Sequence, residues 1–157
     1  MTAAIEDVSD YIVTRMSEAG GDLNHLKLHK LLYYVQAWHL AFVGTVLFAG
    51  SFQAWIHGPV NRDTYDRYKD LKMLYSRMGP SDVRPSFKAS SLTEEQRVHI
   101  DGVLESYGEF SGTQLEDLTH HEAPWLEARE GYRDTQRCEV LLKEDTMRDF
   151  YRALLPA

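Results

Sequence analysis

The chain has 157 residues, 43% of them apolar and 26% charged, which is the profile of a folded domain and excludes a disordered one. Twenty-four acids against 17 bases give a net charge of −7. That balance argues against a non-specific grip on nucleic acid or on an anionic membrane surface, and fits a basic protein partner.

Cys138 is the single cysteine, so no internal disulfide forms and a reducing compartment is expected. A chain of this length buries about 68–70% of its unfolded surface, enough for one core, and one domain over 1–157 is expected. The opening MTAAIEDVSDYI carries acids where a secretory signal carries Lys or Arg. The longest mostly apolar run, 40–50, is too short to cross a bilayer and holds two glycines. The chain reads as cytoplasmic.

Between Ala3 and Ala19, residues Ile5, Val8, Ile12 and Met16 recur at helical spacing, and Gly20-Gly21 stops that helix. Asn24 is a good N-cap for the next one. There Leu28, Leu31, Leu32, Val35, Trp38 and Phe42 form a broad stripe, widened by Leu26, Tyr33 and Leu40. A helix apolar round most of its circumference is a central one. Gly44 and Gly50 punctuate TVLF and SFQAWI, which read as a small β-hairpin ended by Gly58-Pro59. Asn61 or Asp63 caps a helix predicted over 62–75, with Tyr65, Tyr68 and Tyr75 along one face. Residues 79–91 hold two prolines, a glycine and four serines, and read as one long loop free to be mobile.

Thr93 and Gln96 make a capping box for a helix carrying Ile100, Val103, Leu104 and Tyr107; Ser111 and Gln114 repeat the signal. Pro124 suits the first turn of a short helix, CEVLL (138–142) adds a strand to the hairpin, and a last helix around Met147, Phe150, Tyr151 and Leu154 stops before Pro156. The expected fold is mainly α (α+β): a single-domain helical bundle around a buried central helix, with a small antiparallel β-hairpin. Trp38 and Trp125 are expected in its core.

The stretch LTHHEAPW (118–125) holds the raw material of zinc hydrolases. The zinc-protease signature needs a second histidine one helical turn after the first, so that both imidazoles face one metal. After His121-Glu122 that position is Trp125, and Pro124 interrupts the helix just before it. A metal held by His120 or His121 with His25 and His29, or a nucleophilic Cys138, remains an alternative: a small metal- or cysteine-dependent enzyme using His120, His121, Glu122 or Cys138. Nothing flanking Cys138 is activating, and phosphate-loop and serine-elbow motifs are missing. No cofactor is implied.

Three segments carry a resemblance. LKLHKLLYYVQAWHLA (26–41), AWIHGPV (54–60) and LTHHEAPW are similar, in order, to the motifs of the SocA-like antitoxin family, also called the Panacea domain and described as phage-associated GepA-like. The residues concerned are Lys30, Tyr33, Tyr34, Trp38, His39, Gly58, Pro59, Thr119, His120, Glu122, Pro124 and Trp125. His29 departs from the glutamine common in the family. The resemblance implies a small bacterial helical antitoxin that binds and neutralises a cognate protein toxin, with a AAA+ protease as a further partner where such a protein serves as a proteolytic adaptor. The residues themselves, with no convincing active site, no spanning run and no basic recognition helix, lead to the expectation of no enzyme activity, no membrane and no direct nucleic-acid contact. The resemblance also implies a structural role for the corner at 119–125: Thr119 capping, Pro124 starting a helix, Trp125 plugging the core, His120 and Glu122 supplying hydrogen bonds.

Neutralisation needs an interface with aromatic or Arg anchors. Trp55, His57, Arg62, Tyr65, Arg67, Tyr68 and Tyr75 lie near one another in sequence and form the expected docking surface, with packing of the tyrosines into the core as the competing reading.

Overall fold

A computed structural model describes residues 1–156. Among these residues there are seven α-helices and one two-stranded sheet, so the chain is mainly helical with a small antiparallel hairpin. In chain order these are α1 (Ile5–Glu18), α2 (His25–Val43), β1 (Gln53–Trp55), β2 (Gly58–Val60), α3 (Arg62–Tyr68), α4 (Glu94–Tyr107), α5 (Gly112–Thr119), α6 (Ala123–Ala128) and α7 (Glu144–Arg152).

Helix α2 is the axis of the molecule. Fifteen of its 19 residues are buried, and α1, α4, α5 and α7 all pack on it. The Asn24 side chain accepts from the Lys27 N–H at 2.8 Å, and Gly44 closes the far end with φ 88°. A helix buried on every side must place its polar side chains internally. Lys27 Nζ donates to the Asp22 and Gly108 carbonyls at 3.0 and 2.6 Å, and the Gln36 amide joins Phe48 O and Leu47 N at 2.7 and 2.9 Å. Lys30 is fully buried, its Nζ donating to Pro59 O at 3.0 Å. These bonds tie the axis to the surrounding loops. The axis leaves the core at its end: Trp38 is only half-buried, with Nε1 donating to the Tyr107 hydroxyl at 2.8 Å, and Phe42 is exposed. The core position expected for Trp38 is corrected accordingly. Its neighbour His39 faces the Thr45 carbonyl through Nδ1.

Three other expectations are corrected. The hairpin does not include TVLF; β1 pairs with β2, Gln53 opposite Val60 and Trp55 opposite Gly58, so Gly58-Pro59 belongs to the second strand. Gly58 has φ +100°, and a Cβ there would lie 2.6 Å from Lys30 Cε and 2.9 Å from Thr119 Oγ1, so the turn depends on glycine. Phe48 instead bridges Ala3 in parallel. CEVLL contributes one bridge, Leu141 to Gln53, with Ala54 N–H donating to Val140 O at 2.9 Å.

Helix α3 stops at Tyr68, seven residues short of the predicted end. The following segment satisfies the free amides of α2 instead: His25 and Leu26 N–H donate to the Ser76 and Leu74 carbonyls at 3.2 and 2.8 Å. Residues 79–91 are irregular and anchored through one side chain. Two 3-10 turns, Pro80–Asp82 and Ala89–Ser91, frame Arg84, which pairs with Asp7 and with Asp10 at 2.6 Å. Val83 and Phe87 pack on the core.

Among the described residues no helix is long and apolar enough to cross a membrane.

Candidate functional site

The LTHHEAPW corner is built inward. Thr119 closes α5 and donates back to Glu116 O at 2.7 Å, so it is not the cap of the next helix. Glu122 occupies the cap position of α6, yet its side chain turns away from the helix amides. It is 8% exposed, and its Oε1 accepts from the hydroxyls of Tyr34 (2.7 Å) and Tyr151 (2.8 Å). Tyr151 has one proton and gives it to Glu122, so Tyr33, 2.9 Å away, donates to Tyr151. Burial raises the Glu122 carboxyl, and the two hydroxyl bonds partly hold it down. Pro124 lies in the first turn of α6; Trp125 is 4% exposed and donates through Nε1 to Trp55 O at 2.9 Å. The His120 ring stacks on Trp125 at 4.0 Å and 19°, its buried Nε2 without a partner. Burial lowers its pKa.

The residues of the enzyme alternative do not converge. His120 faces Trp125 and Glu122 faces two tyrosines; His121 is exposed, with Nδ1 on Asp117 O at 2.8 Å. Cys138 is buried against Ala128 O at 3.9 Å. His25 and His29 do meet, Nε2 to Nε2 at 3.0 Å, as one donor and one acceptor. Burial lowers the pKa of both, His25 to about 4 and His29 well below its usual value. Among the described residues no group of three or more His, Cys, Asp or Glu could share a metal ion.

The seven residues expected to bind a partner are divided by the structure. Trp55, His57, Arg62 and Tyr65 line one cleft of about 490 Å³, together with Lys69 and Arg137. Trp55 meets the edge of Tyr65 at 4.8 Å, and Tyr65 stacks on His25 at 5.9 Å. Arg62 lies over Trp55 at 5.9 Å and pairs with Asp66 and Glu139 at 3.4 and 3.2 Å, while His57 reaches Glu116 at 3.1 Å.

The other three lie elsewhere. Tyr68 is 2% exposed, so its ring is a core ring and not a surface anchor. Arg67 is tied to the fully buried Asp10 at 2.7 Å and lies over Tyr68. Tyr75 is off the helix and opens onto a separate groove beside Phe110. Lys69 was legible one helical turn after Tyr65; Arg137, from a distant loop, carried no local signal.

A family model described as antitoxin SocA-like, Panacea domain, matches residues 28–126. No curated protein and no solved structure matches the chain. The matched span contains α2 from Leu28 onward, the hairpin and the 119–125 corner, and it carries a toxin–antitoxin role in general terms, with a protein toxin as partner. It covers well over half of the 157 residues, and the chain belongs to the SocA-like antitoxin family with the Panacea domain.

Proposed function

We propose that the chain is an antitoxin that neutralises one cognate toxin by binding it, without turning over a substrate, and that the toxin docks at the Trp55–Tyr65 cleft. The family match over 28–126 carries the antitoxin reading. The choice of face rests on Trp55, His57, Arg62 and Tyr65 surrounding one cleft, while Glu122, His120 and Trp125 direct their polar groups into the fold. Two half-buried aromatic rings beside arginines supply large contact area at little side-chain entropy, the usual makings of an anchor.

Co-expression with the protein encoded beside the chain tests the reading. The wild type should restore growth, and Tyr65→Ala and Trp55→Ala should lose the rescue while keeping native circular dichroism. Full rescue by both folded variants excludes this face; no toxicity from the neighbouring protein and no complex with it excludes it as the partner. Handing the toxin to a AAA+ protease needs a second interface, and toxin half-life with and without the chain tests that role.

A further inference from the structure

We infer that the segment the partner inserts into this cleft is acidic, two or more Asp or Glu side chains flanking one apolar anchor. The inference rests on the docking face proposed above. Although the whole chain carries −7, every charged side chain lining the cleft is basic or a histidine: Arg62, Lys69, Arg137 and His57. Arg62 stands in the first turn of α3, Lys69 caps its end, and Arg137 comes in from the chain opposite.

Their carboxylate partners stand outside the lining and are shared. Asp66 serves Arg62 and Lys69, both at 3.4 Å, and Glu139 serves Arg62 and Arg137 at 3.2 and 3.6 Å. Three cations therefore divide two carboxylates, a third, Glu116, being turned to His57, which leaves the three cations one charge in excess of their own partners and with unused donors. Each guanidinium has five N–H groups in a planar fork that suits a carboxylate. Arg62 engages only Nε and one terminal nitrogen. The side chains of Arg62 and Lys69 are 44% exposed and that of Arg137 77%, so an arriving carboxylate reaches them without opening the fold.

Below the cations the wall is apolar. Trp55 and Ile56 form a half-buried floor that takes an aliphatic or aromatic anchor. A nucleobase fits less well: Trp55 is already met by Tyr65 and crossed by Arg62, and Tyr65 is stacked on His25, whereas single-stranded nucleic acid needs open aromatic faces. The local charge thus opposes the global one: on a chain of net charge −7, this cleft presents cations that an acidic segment can meet.

The test uses the toxin from the co-expression experiment, purified, with the full chain and its Arg62→Glu/Lys69→Glu, Arg62→Gln/Lys69→Gln and Tyr65→Ala variants. Affinity should weaken about 100-fold for the double Glu variant and about 10-fold for the double Gln variant, at unchanged melting temperature. Raising NaCl from about 50 to about 300 mM should slow association for the wild type and much less for the Gln variant. If the Glu variant binds within about two-fold of wild type while Tyr65→Ala fails, the cleft docks the partner but the partner's segment is not acidic. If all variants bind as wild type, the docking face itself falls. Competition by a single-stranded oligonucleotide, lost in the Gln variant, replaces the acidic segment with nucleic acid and overturns the inference.

Discussion

Glu122 sits beside two histidines, yet the atoms that decide its role are tyrosine hydroxyls from α2 and α7. Removing the acceptor strands two buried O–H donors, each costing about 1–3 kcal/mol. Glu122→Ala should therefore destabilise the fold by about 3 kcal/mol, whereas Glu122→Gln keeps a carbonyl acceptor and should cost about 1 kcal/mol; urea unfolding of the two variants checks the difference. The His25–His29 contact is a second residue-level device, because one proton between two Nε2 atoms requires the accepting ring to be neutral, and burial favours the neutral form of both. Folding lowers both pKa values, so the unfolded chain binds more protons between about 4 and 6.5 for His25. Stability is then complete above the unfolded value and falls as pH drops through that window. The melting temperature should decrease by roughly 5 °C between pH 7 and pH 5, and His29→Gln should remove about half of that decrease.

Helix starts were legible because their determinants are local. Asn24, Thr93 with Gln96, and Ser111 with Gln114 each form the predicted side-chain cap, within three residues of the amides they serve. Helix α3 was drawn too long because charge alternation and good helix formers continue past Tyr68, while the determinant of its end, the uncapped amides of α2, lies about 45 residues away in sequence. What anchors residues 79–91 was hidden for the same reason: composition shows prolines and serines, not the carboxylates that wait on α1. Arg84 is the anchor of that segment. Arg84→Ala leaves the fully buried Asp10 with Arg67 and the backbone N–H of residue 84 as partners, and should cost about 2–3 kcal/mol and open 79–91 to limited proteolysis. An unchanged cleavage pattern with unchanged stability would show that Val83 and Phe87 hold the segment unaided.

At the level of the molecule, the mainly helical architecture around α2 followed from one unusually apolar helix, since an element buried on all sides dictates what surrounds it. The candidate site was legible only in part. Trp55, His57, Arg62 and Tyr65 are close in sequence and stay together, but the same reasoning added Tyr68 and Tyr75, which a core contact and a truncated helix take away. Net charge is the coarser guide: −7 summed over the whole chain includes a cleft whose own charged lining is cationic. The three segments that carry the family resemblance converge at a single point, where the Lys30 ammonium lies beneath Gly58 and Pro59 with Thr119 alongside. Burial there brings Lys30 from 10.5 down to about 7. Closing the turn over this side chain therefore expels part of a proton at neutral pH, and nearly a whole one near pH 9, where histidines no longer titrate. The unfolded chain holds the extra proton, so the Lys30 contribution to stability should rise with pH from about 7, until the buried tyrosines, whose pKa values burial raises, oppose it as pH nears 10. The heat of unfolding at pH 9 should differ between buffers of high and low ionisation enthalpy by the equivalent of about one proton, and Lys30→Met should abolish the difference. Assembly of this fold is in that sense a weak acid, and its calorimetric signature reports whether the hairpin has seated.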